Sequence, residues 1–240
     1  TIRAVDHAAI DGLAGSLSAS LGAGVGGSIH VAALRNAAAA WVGTNSQVQA
    51  GGNLIVDAQT TQKVSSTVRG FAIGLLTGIG GSVSALAVGG GLSTAAHDEV
   101  DDAADTINDL LDLSGGIGGL ADDETSDRIA AVLASHSLTV DEAFATSPAM
   151  LGGTRAAVEA GAQATAGGSI GIDADSSAAV TSVSGRTSGG IVAVGGSLAT
   201  LDLAAPVAAQ VGDDAILSAG GDVSIGATSS PTLTMGVETG

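Results

Sequence analysis

Cysteine and tyrosine are absent from this 240-residue chain, which holds one tryptophan, two phenylalanines and three prolines. Without cysteine, disulfides and thiol chemistry are excluded. With so few aromatics, a core must be built from Val, Ile, Leu and Ala in a narrow space, which suits a slender stacked architecture better than a sphere. Cationic residues are scarce too: seven Lys and Arg stand against 24 Asp and Glu, a formal net charge of −17. That balance argues against nucleic acid, whose phosphates require a basic surface, and against docking on anionic lipid. The 38 glycines follow no three-residue period and proline is rare, so collagen is excluded.

What is present is a repeat. AGGNLIVDA at 50–58 returns as AGGSIGIDA at 166–174 and as AGGDVSIGA at 219–227. Each copy has two glycines, read here as a turn that exploits the freedom of glycine at positive φ. A small polar residue follows (Asn53, Ser169, Asp222), then a strand-like alternation with Leu54, Val56 and Ala58 on one face. A second landmark, GVGGS at 24–28, returns as GIGGS at 78–82 and AVGGS at 193–197. Gly27 to Gly196 and Gly52 to Gly221 are both 169 residues, so the two landmarks keep one register. The unit is about 53 residues, and 62 extra residues interrupt the middle copy.

Within the first unit, polar or glycine-rich breaks set off six short segments near 28–34, 37–42, 46–50, 53–58, 63–68 and 71–77. Six strands per unit predict two rungs of a three-sided parallel β-helix, at about 25–27 residues per rung. The charge-free stretch Phe71 to Ala96 has the length of a membrane span. It carries seven glycines and matches the repeat, so no membrane span is expected there. The chain begins without methionine and stops in mid-pattern, as a segment of something longer would.

The interruption has a different composition. It carries 13 of the 24 acidic residues. Val100, Ala104, Ile107 and Leu111 fall at helical spacing with aspartates on the other face, and Ser114-Gly115-Gly116 would end that helix. A second helix is predicted over 124–136. A third starts at Thr139, which with Glu142 forms a capping-box pattern, and Pro148 stops it. The expected domains are repeats over 1–96, an acidic helical insertion over 97–157, and repeats again over 158–240. Trp41 has Ala95 and Gln210 as its counted equivalents, which places it against the base of the insertion.

Candidate chemistry is sparse. Aspartates between Asp98 and Asp112 sit on a helix without the glycine turns of calcium loops, so they read as a solvated face. GGSIGIDAD at 167–175 lacks the fourth-position Gly and sixth-position Asp of the calcium nonapeptide, having Ile170 and Ile172 there. His7, His30, His97 and His136 have no zinc spacing, and the pair His97-Asp98 reads as a surface or capping pair at the insertion root. No serine stands in a nucleophile elbow, and the glycine-rich motifs lack the lysine and setting of a phosphate loop. Only Arg69 and Arg186 occupy similar repeat positions, too few for an anionic-sugar cleft. The residues therefore nominate no catalytic, cofactor or metal site.

The unit GVGGSIHVAAL…AWVGTNSQVQAGGNLIVDAQTT resembles the repeats of giant bacterial surface proteins, the filamentous-haemagglutinin-like and leukotoxin-type filamentous adhesins. The likeness covers all but residues 97–157. It implies an all-β, right-handed parallel β-helix (β-solenoid) in a secreted or cell-surface stalk for adhesion or matrix building, with no active site to transfer. Its partners would be further repeats of the same chain, neighbouring filaments or surface ligands, with divalent cations screening the charge. The alternatives are a carbohydrate- or receptor-binding module, for which only Trp41 is available, and a polysaccharide-active β-helix enzyme, which would need converging carboxylates.

Overall fold

Each repeat holds a run of some twenty residues whose side chains alternate inward and outward, and each such run is a single long strand. The computed structural model describes residues 1–21, 23–89 and 153–239, which form thirteen β-strands. The first repeat contributes β1 (Ile2–Ser20), β2 (Ala23–Leu34), β3 (Ala37–Val42) and β4 (Gln47–Ala50). The second contributes β5 (Leu54–Gly74), β6 (Thr77–Val88), β7 (Gly153–Val158) and β8 (Gln163–Ala166). The third contributes β9 (Ile170–Gly189), β10 (Val192–Leu203), β11 (Val207–Val211) and β12 (Ile216–Ala219), and β13 (Val223–Thr239) follows.

Every strand pairs in parallel with its counterpart in the next repeat. This gives four sheets: A (β1-β5-β9-β13), B (β2-β6-β10), C (β3-β7-β11) and D (β4-β8-β12). Ile2 pairs with Val56, 54 residues on, and Ile170 with Val223, 53 residues on. One 53-residue unit therefore advances the stack by a single strand spacing, about 4.8 Å. The two-rung subdivision expected from six short segments is incorrect. Segments 53–58, 63–68 and 71–77 lie largely in the single strand β5. Their apparent breaks arise because Thr60, Gln62 and Ser66 face inward and are polar. A twenty-residue strand spans roughly 65 Å, so each layer is long and thin.

Sheet A packs its inner face against the other three sheets. Toward its N-terminal end Val56, Ile172 and Ala174 meet Val42, Val158 and Ala164 of sheets C and D. Further along, Val64 and Val180 meet Leu34, Leu86 and Val88 of sheet B. Near the far end the two backbones nearly touch, and the GVGGS glycines have their reason there. A Cβ on Gly24 would come within 2.5 Å of the Ile73 carbonyl oxygen, and one on Gly26 within 2.5 Å of that of Phe71. Only glycine fits such an approach.

The interruption is pinned at both ends. Leu54 pairs with Ile170 and Ala37 with Gly153, each 116 residues on, which is 62 more than the 54 between Ile2 and Val56. Gly89 N donates to Leu34 O at 2.8 Å and Gly153 N to Asn36 O at 3.0 Å. The chain thus leaves and rejoins the stack over carbonyls two residues apart. Both root glycines have positive φ, 85° and 107°. The three helices expected within 97–157, and the aspartates and His97 among them, lie outside the described residues up to 152. Residues 153–157 belong to β7, so the expected boundary at 157 falls inside a strand. Up to Val88 the charge-free stretch is the end of β5 and then β6, and no described helix is long and apolar enough to cross a membrane.

The AGG glycines act otherwise than expected. None of them is among the residues at positive φ. In the later copies stacking requires the first glycine: a Cβ on Gly167 would collide with the Gly51 carbonyl oxygen beneath it, and one on Gly220 with that of Gly167, whereas one on Gly51 or Gly52 would meet nothing within 4 Å. The left-handed corner is elsewhere, in the column Asn45, Gly161 and Asp214, with φ of 54°, 67° and 57°. Each sits third in a turn closed by Ser46 N to Gly43 O, Ala162 N to Glu159 O or Ala215 N to Gly212 O. Positive φ at that position is the type II pattern, which Asn and Asp tolerate better than other residues with side chains.

Candidate functional site

Three places in the described residues gather polar or unusual side chains. The first is interior. Beside the Val64–Val180 cluster, sheet A and sheet B also face each other through a layer of hydroxyls. Ser66 Oγ lies 2.7 Å from His30 Nδ1 and 2.9 Å from Ser84 Oγ, which lies 3.0 Å from Ser182 Oγ. A parallel chain joins Ser184, Ser82 and Ser197 at 2.9 and 3.0 Å. Nearer sheet C, Thr60 meets Thr154 at 2.6 Å and donates to Ser176 at 3.0 Å, and Gln62 donates to Asn36. Serine side chains are small enough for the closely spaced sheets, and the hydroxyls of these chains satisfy one another where water is excluded, whereas the buried hydroxyls of Ser28 and Thr200 have no partner.

His30 is the one imidazole in that layer. Its register equivalents are Ser84 and Ala199, and the ring occupies the space left by Gly12, where a Cβ would strike Nε2. A large side chain on one sheet is offset by glycine on the other. Burial lowers its pKa below the usual imidazole value, so the neutral ring is favoured. Ser66 is wholly buried. A Ser–His contact there joins two strands and offers no path for a substrate to the hydroxyl.

The second place is the outer face of sheet A near its N-terminal end. Asp57 stacks between Arg3 and Asp173, and Gln59 beside Asp175. Arg3 Nε pairs with Asp57 Oδ2 at 2.9 Å, and Arg3 Nη2 donates to Gln59 Oε1 at 2.7 Å. Asp173 has no such partner column; burial first, then the charges of Asp175 and Asp57, push its carboxyl above the ordinary value. Among the described residues no group of three His, Cys, Asp or Glu is placed to hold a metal.

The third is the outer face of sheet C at the insertion root. Trp41 points outward, 39% exposed, and pairs with Ala157, which pairs in turn with Gln210. Gln210 is therefore the equivalent expected, whereas Ala95 is not. The count to Ala95 assumed that the repeat continues beyond Val88, and it stops there. Arg155 Nη1 pairs with Glu159 Oε1 at 2.6 Å, and Gln210, with its amide oxygen toward the guanidinium, accepts from Arg155 Nε at 3.1 Å. The packing of Trp41 on residues 97–152 lies outside the described residues.

Arg69 and Arg186 prove to be one position out of step: Arg69 pairs with Gly185, and Gly70 with Arg186. In a strand that single step puts them on opposite faces. Arg69 reaches over Gly185 to Glu238 at 3.0 Å, while Arg186 turns inward beside Gly195. Sequence reasoning missed the hydroxyl layer, because inward Ser and Thr look like breaks in an apolar pattern. No family model matches the chain, and neither a curated protein nor a solved structure matches it.

Proposed function

We propose that this chain is a structural segment of a long extracellular filamentous protein, a right-handed β-solenoid stalk of bacterial surface-adhesin type without catalytic activity. The observation that carries the reading is how the inner columns end. Ile172 and Val180 of β9 are buried, at 0% and 1%, while their register partners on β13, Ile225 and Leu233, are 50% and 51% exposed. The same columns that form a core inside the stack are open at its last strand. On this reading a further repeat in register would cover them, as each repeat covers the one before, and stability would accumulate with repeat number.

The polar columns favour the same extension. Ser169 N donates to Asn53 Oδ1 at 3.0 Å, and Asp222 N to Ser169 Oγ at 3.2 Å. Each rung's small polar side chain receives the amide of the next, and the carboxylate of Asp222 is poised for another. Net charge of −17 favours the solubility of such stalks. Secretion to the cell surface and an adhesive role rest on the resemblance of the repeat. A recognition module centred on Trp41 and the insertion is the second reading, favoured by the outward indole at the insertion root.

Appending one more 53-residue unit in register after Thr239 tests the structural reading. The longer chain should unfold at higher temperature, and Met235, now 45% exposed, should resist oxidation by peroxide. An appended unit that stays unfolded and leaves Met235 equally reactive contradicts it.

A further inference from the structure

At the far end of each long strand the chain turns from sheet A into sheet B, and every one of those turns carries a bare aliphatic side chain. Leu21 follows β1, Leu75 and Leu76 follow β5, and Ile191 follows β9. Leu21 and Ile191 are 89% and 79% exposed. By the register of sheet A, Leu21, Leu75 and Ile191 succeed one another along the stack. Just inside them, Leu17 pairs with Phe71 on the outer face, and both are exposed. The result is a continuous apolar ridge along the thin edge of the molecule, lengthened by each repeat. Isolated exposed aliphatics are ordinary, but a contiguous ridge marks an interaction surface.

The charge distribution says what can meet it. Residues 13–27, 67–81 and 183–197, which form this end of the stack in the three repeats, contain no Asp or Glu. They contain Arg69 and Arg186, two of only seven cationic residues in the chain. Among the described residues the one acid at this end is Glu238 on β13, held by Arg69 at 3.0 Å; Asp57, Asp173, Asp213, Asp214 and Asp222 sit at the opposite end. Two copies of a chain at −17 repel each other over most orientations. Among the described residues this edge carries one carboxylate, neutralised by its arginine, so two copies can approach there with little like-charge contact and bring aliphatic surface to aliphatic surface. Leu17, Leu21, Phe71, Leu75, Leu76 and Ile191 at roughly 100 Å² each offer about 600 Å² per copy, close to the ~800 Å² per partner of a standard stable interface.

We propose that this ridge is a self-association surface, on which a second copy of the chain packs edge to edge through Leu21, Leu75 and Ile191. The contact is isologous, the same ridge serving both copies. It stands on the edge itself and not on the stalk reading: a short segment would dimerise by it whether or not further repeats follow.

Sedimentation velocity of the 240-residue protein over a concentration series, at low and at high sodium chloride, tests it. The expected result is a reversible dimer that tightens as salt screens the repulsion. Leu75→Glu with Ile191→Glu should weaken the dimer at least tenfold, and Leu17→Ser with Leu21→Ser should do likewise, with strand content by circular dichroism unchanged. Val5→Glu, exposed on the same face near the opposite end of β1, should leave the dimer intact. A protein monomeric at every concentration and salt overturns the proposal. So does a dimer that survives both ridge variants, and so does a monomer whose ridge instead drives flotation with neutral phosphatidylcholine vesicles.

Discussion

Gly26 and Gly27 stand side by side in the GVGGS motif and do different things: a Cβ on Gly26 would sit 2.5 Å from the carbonyl oxygen of Phe71, whereas one on Gly27 would meet nothing within 4 Å. The first faces the opposing sheet and the second faces out. Gly26→Ala must push two backbones apart and should cost about 1–3 kcal/mol. Gly27→Ala should stay within about 0.5 kcal/mol of the parent. Urea unfolding of the two variants checks the difference, and equal effects would remove the close-approach explanation.

The hydroxyl layer makes a second expectation. Ser84 bridges Ser66 and Ser182. Ser84→Ala takes the partner from the buried Ser182 hydroxyl, while Ser66 keeps its contact with His30, and should destabilise by about 1–3 kcal/mol. Removing Ser182 as well should cost less than the two single changes added together, because one orphan disappears with its partner. A denaturant double-mutant cycle reads this directly; strict additivity would mean the hydroxyls act independently.

His30 gives the protein a signed pH response. Its folded pKa lies below the ordinary imidazole value of 6.5. Between the two values the unfolded chain binds the proton and the folded chain does not, so the stabilisation is present above about pH 6.5 and is lost as pH falls below it. Melting temperature should decline from pH 7.5 toward pH 5, and His30→Gln should flatten that slope. An unchanged slope in the variant would assign the effect to other groups.

How much of this was legible without coordinates follows from what each residue does. The 53-residue period and the 62-residue interruption were readable, because AGG and GGS keep register across the whole chain. The true strand lengths were not. Thr60, Gln62 and Ser66 point inward but are polar, so an apolar pattern breaks where the strand β5 continues. The role of the AGG glycines was misread for a related reason: a clash with the rung below is invisible to local sequence, and only pairing Gly167 with Gly51 exposes it. The left-handed column at Asn45, Gly161 and Asp214 left a faint signal, since Asn, Gly and Asp share a tolerance for positive φ. The register slip that separates Arg69 from Arg186 needed sheet pairing to see.

Gly89 and Gly153 bracket the interruption over carbonyls of Leu34 and Asn36. Replacing residues 90–152 with a single alanine restores the spacing of the other two repeats. The shortened protein should keep its strand content and melt within a few degrees of the parent. Loss of cooperative unfolding would show that the interruption is part of the core.

The central claim is that one 53-residue unit makes one layer. Thr61 and Ser177 are exposed and paired across β5 and β9, and a cysteine-free chain makes thiol probes unambiguous. In Thr61→Cys with Ser177→Cys, neighbouring strands at about 4.8 Å should be joined efficiently by a bifunctional thiol reagent of similar span. Linking only by reagents reaching about 10 Å, with none by the short one, would place two layers in each unit and contradict the account.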